Sequence, residues 1–206
     1  MFYFTKTPFW LKKLYPSCLW NYPDEGKKIY LSFDDGPHAE ATPFVLEQLK
    51  KINARASFFC IAKNVIAEPT IYKRILQEGH RVGNHTFNHL NGWKTDNKTY
   101  LDNIEKAREF IDSDLFRPPY GRISAFQIRI LQQQLKYKII MWDVLSGDFD
   151  PAVSGKKSAE RVVQQSRSGS IIVFHDSAKA LKCLKESLPL VLEFFYREGY
   201  SFETIK

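Results

Sequence analysis

The stretch Ile29-Tyr30-Leu31-Ser32-Phe33-Asp34-Asp35-Gly36-Pro37 decides how this chain is read. Five residues dominated by apolar and aromatic side chains run into two acids and a Gly-Pro pair, which is a strand ending in a turn. Neighbouring residues on a strand point to opposite faces, so Asp34 and Asp35 can take two different tasks at one site. Taken alone, a solvated turn pair is the simpler reading.

The same rhythm continues outward from this strand. Thr42-Pro43 looks like an N-cap with proline at the first helical position, and Val45, Leu46, Leu49 and Ile52 give that helix an apolar face. A strand over 56–61 follows, then a helix over 70–78 stopped by Gly79, a strand over 80–84 and a helix over 99–112. Leu115-Phe116 is a short strand, followed by a helix over 124–135 and a strand from Tyr137 to Trp142. After a loop at 145–156 come a helix at 158–166 capped by Ser158, a strand from Ser170 to Phe174, and a helix over 187–198. Ser201 to Ile205 can close the set as a last strand. Roughly seven β-then-α units argue for a parallel α/β domain, either a barrel or an open sheet. In a barrel the chemistry gathers where strands end.

Polar residues stand at those ends. His85-Thr86-Phe87-Asn88-His89 places histidines at i and i+4, which in a helical turn face the same way and can share one divalent cation. Two isolated histidines are more simply a surface pair. Asp35 as a third ligand changes those odds, because catalytic zinc commonly takes three protein ligands and one water. Arg117-Pro118-Pro119-Tyr120-Gly121 is a stiff turn fixing an arginine at a strand end, with a rigid surface loop as its plain reading. Asp143, Asp148 and Asp150 follow the next strand as a loop of acids, solvated on the plain reading. His175 ends the apolar run Ile171–Phe174. Of the five histidines, His80 opens a strand and His38 sits on the turn after Pro37. Each motif is modest alone, and their ordered recurrence on successive strand ends is the stronger signal.

Composition bounds the alternatives. The 206 residues fit one domain, large enough to bury a core without disulfides. The 44% hydrophobic and 26% charged fractions exclude disordered, collagen-like and disulfide-scaffold chains. Three dispersed cysteines (Cys18, Cys60, Cys183) include no C-x-x-C, and Cys60 in its apolar run reads as a small buried hydrophobe. The net charge is +7, of which five lysines and two carboxylates put +3 in residues 1–28. That segment also carries Phe2, Tyr3, Phe4, Phe9, Trp10, Tyr15, Trp20 and Tyr22. It reads first as an extension packing its aromatics on the domain, and second as a peripheral contact with an anionic membrane. A nucleic-acid partner is not expected, since no clustered basic patch or aromatic binding motif is evident. No apolar run approaches the roughly 20 residues that span a bilayer, and no signal-peptide pattern is seen, so a cytoplasmic location is expected.

The chain resembles the polysaccharide deacetylase family, the NodB-homology domain of carbohydrate esterases, from about Lys28 to Ile205. Ser32 to Pro37 matches T/S-F-D-D-G-P, His85 to His89 matches H-[ST]-x-x-H, and Arg117 to Gly121 matches R-x-P-Y-G. Asp148-Phe149 stands where the family usually shows Asp-Trp, and His175 matches its late histidine. Phe149 for tryptophan, Leu145 for an acid and Val173 for leucine are the departures, and they bear on the sugar groove. The resemblance implies a distorted (β/α) barrel of about seven parallel strands, with residues 1–27 as an extension and 28–206 as the catalytic domain. It implies Asp34 as base, Asp35, His85 and His89 as ligands of zinc (cobalt or nickel as alternatives), Arg117 bracing the base, the Tyr120 N–H on the oxyanion and His175 as acid. The expected partner is a carbohydrate carrying N-acetyl groups, and the expected state a monomer.

The reaction expected is hydrolysis of a sugar N-acetyl group by metal-activated water, with Asp148 favouring the His175 imidazolium. Two other readings compete. One is a metal-dependent amidohydrolase cutting a non-sugar C–N bond on the same scaffold. The other is a non-catalytic glycan-binding module, disfavoured by the complete polar set.

Overall fold

The computed structural model describes residues 3–23 and 26–206, so Phe2 lies outside the described residues. Seven strands lie on one parallel path: β1 (Lys28–Asp34), β2 (Ser57–Cys60), β3 (Arg81–Asn84), β4 (Leu115–Phe116), β5 (Lys138–Ile139), β6 (Val144–Leu145) and β7 (Ile171–His175). Their order across the sheet is β5-β4-β3-β2-β1-β7-β6, with β8 (Ser201–Phe202) pairing beside the start of β1. Every strand pair is parallel. The sheet curls into the distorted (β/α) barrel expected from the sequence.

Alternation along β1 builds both layers of the core. Ile29, Leu31 and Phe33 face the helices, in a cluster with Val45, Leu49, Leu188 and Val191. Tyr30 faces the inside of the curl with Phe59, Leu115, Ile140, Ile171 and Ile205. The helices are α1 (Phe9–Leu14), α2 (Ala41–Lys51), α3 (Ala62–Ala67), α4 (Pro69–Gln77), α5 (Asn97–Arg108), α6 (Ala125–Gln133), α7 (Gly155–Gln165) and α8 (Leu181–Arg197).

Several boundaries differ from the sequence reading. Thr42 lies inside α2 and its hydroxyl accepts from the His38 N–H at 2.8 Å instead of capping the helix. Ser158 is buried within α7, whose N-cap is Ser154, accepting from the Lys157 N–H at 3.2 Å. Helix α8 starts at Leu181, well before the expected start at Ser187, and accommodates Pro189 in its interior. The single strand expected from Tyr137 to Trp142 is β5 alone. The chain then bends, and β6 forms at the opposite sheet edge, within and just before the expected loop.

The N-terminal segment seals the seam between those edges. Leu19 bridges Ile140, Lys6 bridges Val144 and Asn21 bridges Ser170. Its aromatics divide: Trp20 is buried and Tyr22 stacks on Tyr30 at 4.1 Å, whereas Phe4, Phe9 and Trp10 are exposed. No helix among the described residues is long and apolar enough to cross a membrane.

Candidate active site

Parallel pairing brings the strand-end residues together at one rim. Asp34, the last residue of β1, is in register with His175, the last residue of β7. Arg117 follows β4 and His85 follows β3. All six polar candidates at the strand ends, with His89 and Tyr120 on the adjoining loops, lie at the carboxyl edge of the sheet.

Arg117 is fully buried and organises the rim. Its Nη1 donates to Asp34 Oδ1 at 2.7 Å and to Ser32 Oγ at 2.8 Å. Its Nε and Nη2 donate to the carbonyls of Ile140 and Met141 at 3.3 and 3.1 Å, and its guanidinium lies 3.9 Å from the Phe59 ring centre. A planar fork satisfies four acceptors here, which an ammonium group cannot do in the same geometry.

Asp35, His85 and His89 form the second group, with one donor atom from each lying within 4.8 Å of the others. The His85 Nδ1 is 2.7 Å from the Arg117 carbonyl, which only an N–H can satisfy, so Nε2 carries the lone pair. That Nε2 lies 3.6 Å from Asp35 Oδ1, and the His89 Nε2 lies 3.1 Å from the same oxygen. Asp35 Oδ1 is buried without an aligned hydrogen-bond donor. Burial pushes His85 down to about 4, against the pull of the Asp34 carboxylate, so it is neutral near pH 7. A buried carboxylate oxygen facing two imidazole nitrogens, of which the His85 Nε2 carries a lone pair, is a donor set that fits a cation.

The histidines do not lie on a helix as expected. Residues 85–89 are a turn in which Thr86 and His89 take positive φ (68° and 64°), so their approach comes from loop geometry instead of the i, i+4 spacing. The Asn84 carboxamide holds this turn, accepting from the Thr86 N–H at 2.8 Å.

His175 and Asp148 form the third group. Asp148 is buried, accepts from the His175 backbone N–H at 2.7 Å and lies 2.8 Å from its Nδ1. Burial alone pushes the imidazolium down. The charge and hydrogen bond of Asp148 outweigh it, Asp35 and Asp34 add to them, and His175 is raised to about 9. Tyr120 has a left-handed backbone (φ 60°, ψ 7°), and its phenol oxygen sits 3.1 Å from His89 Nδ1.

The family description "Polysaccharide deacetylase" matches residues 21–140. The chain belongs to the polysaccharide deacetylase family. It is 32% identical over 202 residues to a peptidoglycan-N-acetylglucosamine deacetylase of Bacillus cereus, covering 94% of each chain. Among solved structures it resembles the Bc1960 peptidoglycan N-acetylglucosamine deacetylase in complex with a hydroxamate, 4-naphthalen-1-yl-N-oxidanyl-benzamide. The TM-score is 0.88 and the identity 31%, over 97% of this chain and 95% of that one. It also resembles the peptidoglycan deacetylase PdaC of Bacillus subtilis, with a TM-score of 0.79 at 29% identity over 89% and 90% of the two chains. As a polysaccharide deacetylase the protein is a hydrolase of carbon–nitrogen bonds other than peptide bonds.

Polar groups without an assigned role in the sequence reading also lie at this rim. Asp176, fully buried beside His175, accepts from the Gly36 N–H at 3.1 Å and from the Thr42 hydroxyl. Burial, with the Asp35 and Asp34 charges, pushes it up to about 8 against the Thr42 hydrogen bond. A Cβ on Gly36 would fall 2.1 Å from the Asp176 carboxylate, so only glycine fits this close approach. Asn64 donates to the Asp35 carbonyl at 2.7 Å. Ser32 reads as part of the strand and its motif, while Asn64 and Asp176 fall between the expected elements, so nothing in the sequence marks their partners. Asp143, expected to be solvated, is instead buried between Lys6 and Lys12 at 2.6 Å each.

Proposed function

We propose that the protein removes acetyl groups from N-acetylglucosamine units of a glycan or glycoconjugate, with Asp35, His85 and His89 holding a divalent cation. Zinc suits two imidazoles and one carboxylate with an open position, and cobalt and nickel accept the same donors. The observation that carries the reading is the buried Asp35 oxygen facing two imidazole nitrogens, flanked by the Asp34–Arg117 and His175–Asp148 pairs. When bound, such a cation polarises an acyl oxygen and acidifies water.

The chain's own groups divide the proton work. Asp34 takes the proton of the attacking water, its carboxylate fixed by Arg117 at 2.7 Å. Water oxygen bonds to the acetyl carbon, and the Tyr120 N–H is assigned to the oxygen on which charge develops. His175, held as imidazolium by Asp148, passes a proton from Nε2 to the sugar nitrogen. The C–N bond breaks, and acetate and a free amine leave.

Metal analysis of purified variants tests this division. Wild type and Asp34→Asn are expected to bind one equivalent of divalent metal alike, while His89→Ala binds less. Unchanged stoichiometry in His89→Ala, or metal loss in Asp34→Asn, contradicts the assigned roles.

A further inference from the structure

Residues 3–7 precede the stretch that matches the family description, and Asp148 and His175 follow it. The structure nevertheless joins them. The segment runs antiparallel to β6, with Lys6 bridging Val144 and the Leu145 N–H donating to the Thr5 carbonyl at 2.8 Å. The Thr7 N–H donates to the Asp143 carbonyl at 2.9 Å, and the Thr7 hydroxyl donates to the Trp142 carbonyl at 2.7 Å. The Lys6 ammonium fixes this added edge strand, donating at 2.6 Å to the buried Asp143 carboxylate and at 2.8 Å to the Gln165 carbonyl.

The loop leaving β6 carries Gly147, Asp148, Phe149 and Asp150, and Tyr3 lies against it. The Tyr3 hydroxyl donates to Asp150 Oδ2 at 2.9 Å, and its ring centre is 5.1 Å from that of Phe149. Phe149 in turn meets the His175 imidazole edge to face, at 5.0 Å and 76°. Gly147 has φ +75°, and a Cβ there would fall 2.9 Å from the Tyr3 hydroxyl. One ring therefore separates the N-terminal segment from the imidazole. Asp148 fixes His175 through Nδ1, and Phe149 packs on the ring itself.

We propose that residues 3–7 form a working part of the active site, with Tyr3 a positioning residue that sets the His175 ring through Phe149. The inference rests on His175 as the proton donor of the proposed reaction. Removing the Tyr3 ring takes its 5.1 Å contact away from Phe149, which keeps the Lys179 ammonium at 5.7 Å from its ring centre, and lets the imidazole move. A misplacement of about 1 Å at a reacting group lowers turnover by on the order of a hundredfold.

The test uses the full-length, metal-loaded protein and an N-acetylglucosamine oligosaccharide. Tyr3→Ala is expected to lower kcat by about ten- to a hundredfold, with KM changed by less than about twofold and metal content unchanged. Tyr3→Phe keeps the ring, loses the hydrogen bond to Asp150, and is expected to recover most of kcat. Three results overturn the inference: wild-type kcat in Tyr3→Ala, a raised KM at unchanged kcat, or a Tyr3→Phe enzyme as slow as Tyr3→Ala. A wild-type protein that releases no acetate removes the proposed reaction itself, which is a different failure from an active wild type with an equally active Tyr3→Ala.

Discussion

Arg117 joins the two halves of the site: its guanidinium holds Asp34 and its carbonyl holds the His85 ring. Because the ion pair is buried, removing one partner leaves an uncompensated charge. Arg117→Ala is expected to lower unfolding free energy by about 3–5 kcal/mol, measured by urea denaturation, and Arg117→Lys to recover little of it. Asp34→Asn keeps the shape and is expected to lower turnover by about 10²–10⁴-fold; near-normal kinetics contradict its role as base. The pH dependence follows from His175, raised to about 9. A step needing the imidazolium is retained below that pH and lost as pH rises through it. Asp148→Asn removes the first of the groups that raise His175, so the alkaline limb of kcat is expected to move to lower pH. A stationary limb contradicts the pairing.

At the scale of elements, legibility followed periodicity. The apolar run of β1 and its acid-rich end were readable because alternation and Gly-Pro punctuation are local signals. The histidine turn was half readable: both residues were identified, but i, i+4 spacing suggested a helix where positive φ at Thr86 and His89 makes a loop. Besides the Asn84 carboxamide, the turn is held by Asn103 of α5, which accepts from the Phe87 N–H at 2.9 Å, and by the Ala62 and Lys63 N–H groups, which donate to the Thr86 and Phe87 carbonyls; these partners are not local in sequence. The division of 137–145 into β5 and β6 was hidden for a similar reason, since a bend between opposite sheet edges leaves no periodic mark. Asp176 was invisible because its partners are a glycine N–H and a helix threonine more than 130 positions away. Gly36→Ala puts a Cβ into that carboxylate and is expected to displace the Asp35 loop, costing about 1–3 kcal/mol. Weakened metal binding by calorimetry, with the His89 loop intact, checks it; unaltered affinity and stability contradict it.

The whole molecule places apolar packing on both faces of the curled sheet and its polar groups at the carboxyl rim. Sequence rhythm pointed to a parallel α/β class, and the family resemblance narrowed it to the distorted barrel. The N-terminal segment is the part least readable in advance. Read as aromatics packed on the domain or as a contact with an anionic membrane, it places Lys6 and Lys12 on the buried Asp143, while Phe9 and Trp10 of α1 remain exposed. The proposed reaction is hydrolysis of sugar N-acetyl groups with the help of a divalent cation at Asp35, His85 and His89. The most direct measurement is acetate release from N-acetyl and O-acetyl oligosaccharides, with metal-stripped protein and again after zinc or cobalt is added. Acetate is expected from N-acetylglucosamine oligosaccharides only when metal is restored. Acetate release unaffected by metal removal, or none from any N-acetylated sugar by protein that binds metal tightly, contradicts it.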